Sequence, residues 1–260
     1  MRLAIVQTLP TFGKVEVNVH ATMELMRGTP ADIYVLPELF NSGYNFADME
    51  EVGRVTEKAD GPTYRALLGF AQKKSCYIVY GFAERADQIY NSASLLGPAG
   101  FIGLYRKVHL FDRENLFFKP GNLGFPVFET PFGKIGLMIC FDWIFPEAGR
   151  TLALRGAQLL AHPSNLVLPH CPDAMVTRCI ENRVFAATAD RVGREDRGGI
   201  DLRFIGKSEI ISPGGEVLVC LGAEKEGVGV VDVDLHDADV KRVNQHNDLI
   251  AGRRPDQYTL

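Results

Sequence analysis

No stretch of this 260-residue chain is apolar for the roughly 18–20 residues that a membrane-spanning helix needs. Neither sign of charge dominates: 28 Lys and Arg stand against 32 Asp and Glu, a formal net charge of -4. That balance provides no global basic field, so neither nucleic acid nor an anionic membrane is expected as a partner. Cysteine is sparse and odd in number, at Cys76, Cys140, Cys171, Cys179 and Cys220. A disulfide framework wants an even set, so a reducing cytoplasm is the expected setting. The opening MRLAIVQTLP lacks the long apolar core and small-residue cleavage site of a secretory signal. No Gly/Ser/Pro-rich linker, composition shift or internal repeat divides the chain, so one domain over residues 1–260 is expected.

Nucleotide and metal motifs are missing as well. Phe204–Ser208 reads FIGKS and ends like a phosphate loop, but position 201 is Asp where that loop needs Gly. No G-x-G-x-x-G follows the first strand-like run. His162, His170 and Cys171 lack the paired spacing of a zinc site.

Apolar residues make up 46% of the chain and charged residues 23%, which rules out a disordered chain. The apolar residues come in short runs that predict strands. These are Leu3–Thr8, Ile33–Leu36, Tyr77–Phe82, Ala93–Leu96, Phe101–Arg106, Ile135–Ile139, Leu159–His162, Phe185–Ala189, Phe204–Ile211, Val217–Leu221 and Val228–Val233. Several are continuous, as in IYVL and IGLMI, and suit strands covered on both faces. Helical spacing falls between them: from an Asn18 cap to Gly28, from Pro62 onward, from Pro146 to Gly156, and over Asp173–Arg183. Strands alternating with helices and then running on as strands predict a layered α/β fold with more than one sheet. Arg191–Arg203 reads as an exposed loop, and the polar tail over residues 236–260 as an arm or surface helix.

Three segments end an apolar or alternating run in a reactive side chain. They are Leu36–Phe40 (LPELF), Tyr105–Phe111 (YRKVHLF) and Gly136–Trp143 (GLMICFDW). Taken singly, Glu38 reads as a turn residue, Lys107 as a surface residue and Cys140 as a small core residue. Together they place a carboxylate, an ammonium and a thiol at the ends of strands, where α/β sheets keep their sites.

LPELF, YRKVHLF and MICFDWIFPEAGR resemble the three motif blocks of the nitrilase superfamily, the carbon–nitrogen hydrolases. Phe118–Gly121, His162–Asn165, Arg178–Arg183, Gly206–Ser208 and Ser212–Gly215 extend the resemblance over nearly the whole chain. It implies a four-layer α-β-β-α sandwich. It implies Glu38, Lys107 and Cys140 as a catalytic triad, Glu114 as a second active-site glutamate, and the Phe141 backbone N–H as an oxyanion donor. Tyr44 and Asn165 become substrate-pocket candidates, and Trp143 a pocket or interface residue. No metal and no organic cofactor is implied. A homodimer or larger assembly is, paired through the Pro146 and Asp173–Arg183 helices, with the tail after His236 wrapping a partner. True nitrilases often read Cys-Trp-Glu where this chain reads Cys140-Phe141-Asp142-Trp143. The pattern is more similar to the aliphatic amidase, ω-amidase and Nit-type branches, so a small aliphatic amide is the expected substrate. Small nitriles or dinitriles come second, N-carbamoyl amides third, and a non-catalytic scaffold last.

Overall fold

Leu3 and Ile5 belong to one apolar cluster and Ala4 and Val6 to another, so the first strand is buried on both faces. Ile33 and Val35 divide from Tyr34 and Leu36 in the same way. Successive side chains of a strand point to opposite faces, so a continuous apolar run fills two layers at once. In the computed structural model, which describes residues 1–258, these runs become the centre of a sandwich.

The strands are β1 (Arg2–Gln7), β2 (Ile33–Val35), β3 (Tyr77–Arg85), β4 (Ile89–Gly97), β5 (Gly100–Arg106), β6 (Val127–Thr130) and β7 (Gly133–Leu137). They continue as β8 (Leu159–Pro163), β9 (Phe185–Ala189), β10 (Arg194–Arg197), β11 (Ile200–Arg203), β12 (Glu209–Ile211), β13 (Val217–Cys220) and β14 (Gly227–Asp232). The helices are α1 (Val15–Gly28), α2 (Met49–Val55), α3 (Pro62–Lys74), α4 (Glu114–Phe117), α5 (Pro146–Leu154) and α6 (Cys171–Asn182).

One six-stranded sheet has the order β14-β1-β2-β3-β4-β5 and the other β13-β12-β9-β8-β7-β6. Each has three parallel strands at its centre, β1-β2-β3 and β9-β8-β7, flanked by antiparallel ones. The parallel strands of the two sheets face each other, β1 against β9 and β3 against β8. Helices α1 and α3 cover the outside of the first sheet, and α5 and α6 the outside of the second. The fold is thus a four-layer α-β-β-α sandwich. Among the described residues no helix is long and apolar enough to cross a membrane.

Three local expectations are corrected and a fourth is refined. Asn18 lies inside α1, not at its cap, and its amide pairs with the Thr11 backbone and the Asn41 carbonyl. Residues 191–203 are not simply a loop, because β10 and β11 pair there as a hairpin. The expected strand over Phe204–Ile211 is reduced to Glu209–Ile211, since Gly206 and Lys207 turn into positive φ of 61° and 54°. Finally, the segment from His236 is tied down at its start. Leu235 and Ala238 are buried in a 3-10 turn, and the Lys241 ammonium donates to the carbonyls of Asn182 and Arg183 at the end of α6. Residues 259–260 of the expected arm lie outside the described residues.

The sandwich also sets the path of the chain after β2. A Cβ at Gly81 of β3 would sit 2.5 Å from the Glu38 Cα and 2.9 Å from the Leu39 nitrogen. Gly81 also donates its N–H to the Pro37 carbonyl at 3.2 Å. Gly81→Ala therefore forces two backbones apart. We expect it to lower unfolding free energy by about 1–3 kcal/mol in denaturant melts, and an unchanged midpoint would contradict the close packing described.

Candidate active site

Each reactive side chain enters from the end of a strand. After β2 the chain turns through Pro37 and Glu38 into Leu39, whose φ is 47°. After β5 the N–H of Lys107 donates to the Asn91 carbonyl at 2.8 Å, and Gly121 donates to the Lys107 carbonyl at 2.8 Å. Cys140 starts a 3-10 turn, Cys140–Ile144, just beyond β7, with a φ of 40°. Positive φ is costly for a residue with a Cβ, so surrounding contacts must hold the nucleophile turn in place. Between that turn and α5 only Phe145 intervenes, at the cap position before Pro146.

These ends converge on one buried cluster. The Lys107 Nζ donates to Glu38 Oε1 at 2.6 Å and to Glu114 Oε1 at 2.7 Å, and the lysine and Glu38 side chains are sealed from solvent. Asn91 Nδ2 donates to Glu38 Oε1 at 2.7 Å and lies 3.5 Å from Glu114 Oε2. The Tyr44 hydroxyl donates to Glu114 Oε1 at 2.6 Å. Cys140 Sγ lies 3.7 Å from the Asn165 carbonyl oxygen, and Asn165 Nδ2 donates to the Glu38 carbonyl at 2.9 Å. Glu38 Oε2 is buried with no hydrogen-bond partner among the described residues, which leaves one carboxylate oxygen available as a proton acceptor.

The electrostatics follow from burial and these neighbours. Burial pushes the Glu38 carboxyl up, the Lys107 charge pulls it back, and Glu114 raises it again, to about 7. Burial alone would discharge the Lys107 ammonium, but Glu114 and Glu38 hold it above the ordinary lysine range. Burial and the Glu38 charge push the Cys140 thiol well up, and Lys107 offsets part of that. The Tyr44 phenol is also pushed well up, by burial and then by Glu114, so it stays protonated and donates.

A second group of residues holds the nucleophile turn, and sequence reasoning missed it. The buried Asp142 carboxylate accepts from the Tyr105 hydroxyl at 2.6 Å and the Ile139 N–H at 2.8 Å. It also accepts from the His109 N–H at 3.2 Å and faces His109 Nδ1 at 2.8 Å. Asp142 thereby fastens the segment after Lys107 to the turn that carries Cys140. His162 sits under that turn, its Nε2 2.9 Å from the Cys140 carbonyl oxygen and its Nδ1 3.0 Å from the Thr188 hydroxyl. Burial lowers its imidazole to about 4, so it is neutral, with Nε2–H assigned as the donor to that carbonyl. Glu195 of β10 accepts from the Tyr44 and Asn45 backbone N–H groups at 3.1 and 2.7 Å, and it pairs with the buried Arg191. An acid alone in the apolar run Ile139–Phe145 is a signal that finds Asp142. Asn91 and Glu195 carry no comparable signal.

Two small cavities touch the cluster. One of about 10 Å³ is lined by Phe111, Cys140, Phe141, Trp143, Asn165, Leu166, Val167 and Leu168. Trp143 is buried and forms one of its walls. The other, about 30 Å³, runs beside Tyr44 and Glu114. Among the described residues no group of three or more His, Cys, Asp and Glu is arranged to hold a metal ion.

Known proteins resemble this chain along nearly its whole length. A family model described as carbon-nitrogen hydrolase matches residues 2–242. The chain is 48% identical, over 99% of both sequences, to a protein of Pyrococcus abyssi named nitrilase. It is 32% identical to the omega-amidase NIT2 of Mus musculus, over 88% of this chain and 86% of that one. Among solved structures it is similar to an amidase from Nesterenkonia sp. AN1, with a TM-score of 0.78 and 28% identity over 93% of this chain and 96% of that one. That structure shows the result of Michael addition of acrylamide at the active-site cysteine. The sandwich, the strand-end cluster around Cys140 and these matches together place the chain in the carbon-nitrogen hydrolase family.

Proposed function

We propose that this protein hydrolyses small, uncharged aliphatic amides through a thioester on Cys140. The observation that carries the reading is the Lys107 ammonium shared by Glu38 and Glu114 in a buried site beside a thiol. Glu38, with its carboxyl raised to about 7, is matched to taking a proton near neutral pH. In the first step the Cys140 proton passes to Glu38 as sulfur bonds to the amide carbon. The carbonyl π electrons move to oxygen. An ammonium has three donors, and carboxylates use two of those on Lys107, leaving one for that oxygen. The backbone N–H of Phe141 is the second donor, and losing one such donor typically costs about 10²–10³ in rate. When the intermediate collapses the C–N bond breaks, and Glu38 returns its proton to the departing ammonia. Glu38 then takes a proton from water, whose oxygen attacks the thioester. The C–S bond breaks, Glu38 returns that proton to the sulfur, and the acid leaves with the thiol restored.

The walls beside Cys140 support a neutral acyl group. Phe111, Phe141, Trp143 and Leu166 line that space with no charged side chain to pair a substrate carboxylate or amine. The complex of a variant of the Nesterenkonia amidase with butyramide also favours an amide. Nitrile hydrolysis is the second reading, favoured by the name of the Pyrococcus abyssi relative.

We propose further that the whole chain works as one domain in a homodimer. Ile144, Leu154 and Ile180 on the α5–α6 side are 42%, 42% and 46% exposed and would be covered by a second copy. The segment from His236 is proposed to reach that copy. Five free thiols fit a reducing compartment, so a cytoplasmic setting is proposed.

Three outcomes are expected. On butyramide, Cys140→Ala abolishes ammonia release, and Glu38→Gln lowers kcat by about 10²–10⁴; full turnover in either variant rules out the mechanism. The acid limb of kcat/KM falls near pH 7, because Glu38 must be ionised to act and loses its charge as pH drops through that value. Light scattering gives a mass of at least two chains, and Leu154→Arg lowers it; a monomeric wild type sinks the dimer.

A further inference from the structure

The cavity over Cys140 and the cavity beside Glu114 share one lining residue, Phe111. On one side the Phe111 ring meets the Phe141 ring edge-on, centroids 5.0 Å apart. On the other it closes a space walled by Tyr44, Glu114, Phe117 and Leu202. The second space touches the charge cluster directly, because Tyr44 and Lys107 donate to the same oxygen of Glu114, and the first meets it only at Cys140.

Size makes the partition matter. A space of about 10 Å³ holds one water at most, and one of about 30 Å³ holds about two. Each is partly open, so an acyl chain of several carbons either extends out of it or moves a wall. Trp143 and Leu166 are buried in the sandwich, but Phe111 is only half-buried and lies in the irregular segment between β5 and α4. The next residue, Asp112, has a φ of 44°. The second cavity is mostly apolar, with Phe46, Phe117, Phe118, Ile200 and Leu202, though Asn45, Asp112 and Arg113 also line it.

We propose that Phe111 sets the acyl chain length this enzyme accepts, by separating the thiol cavity from an apolar extension beside Glu114. This rests on the amide reading above and deepens it. Short acyl groups fit on the thiol side of the ring. Longer neutral chains enter only when the ring yields and the two spaces join. Truncating the ring therefore changes the relative rates for short and long acyl chains.

The test measures access to the sulfur directly, so it does not depend on amidase turnover. Wild type, Phe111→Ala and Phe111→Leu are alkylated with 2-bromopropanamide and with 2-bromohexanamide, and modification of Cys140 is followed by mass spectrometry. In each case sulfur displaces bromide from carbon. Wild type should react much faster with the short reagent. Phe111→Ala should narrow the short-to-long rate ratio by at least about tenfold, the order that a pocket gains from one or two methylenes. Phe111→Leu, which keeps an apolar side chain and guards against misfolding of the alanine variant, should fall between. A ratio unchanged in both variants overturns the proposal. The same variants on butyramide and hexanamide separate the two readings: a Phe111 effect on alkylation without amide hydrolysis in wild type overturns the amide reading alone.

Discussion

Everything at this site depends on one buried cation. Lys107 sits between Glu38 and Glu114 with its side chain closed to solvent, the two carboxylates holding its charge while the ammonium offsets part of the burial of Glu38. Without the ammonium, two carboxylates would share a sealed space and one would take up a proton. Without the carboxylates, burial would discharge the lysine. Removing one member of such a set costs more than its own contacts, because the remaining charges are left unpaired out of water. The same balance leaves Glu38 near neutrality, where a carboxyl can both take and return a proton.

The fold's contribution is to hold that balance next to a strained thiol. Leu39 and Cys140, beside and at the reacting centre, both have positive φ. Asp142 binds the nucleophile turn to the segment after Lys107, and His162 supports the Cys140 carbonyl from below. Glu195 does the same for the loop that carries Tyr44, reaching it from the β10–β11 hairpin. The reactive side chains come from separate strand ends, and Asp142, His162 and Glu195 fasten the neighbouring segments together. A sandwich with parallel strands at its centre suits this arrangement, because several carboxyl ends open on the same side.

Much of the frame was legible because burial writes itself into short apolar runs. IYVL and the run from Leu3 serve two layers each, and their continuity says so. Glu38, Lys107 and Cys140 were legible as reactive residues that end such runs. Their convergence was legible only through the resemblance of the three motif blocks, since no periodicity states which strand ends meet. Asn91 lies inside an ordinary strand, and only the fold turns its amide toward Glu38. The β10–β11 hairpin did leave a sign. Gly198 and Gly199 have φ of 57° and 78°, which suits a two-residue primed turn, but the charges of REDR and IDLR masked the strands. Asn18 shows the opposite failure: its residue type suits a helix cap, yet its buried amide is used to tie α1 to the Thr11 and Asn41 backbones.

The central claim is that the Cys140 thiol ionises through Glu38 rather than by itself. Burial holds the thiol well above its ordinary range, while the carboxyl stands at about 7. The direct measurement is the rate of iodoacetamide alkylation at Cys140 against pH, in wild type and in Glu38→Gln. The account predicts a wild-type rate that rises through pH 7, and a variant whose rise is displaced well to the alkaline side. Identical profiles in the two proteins would contradict it.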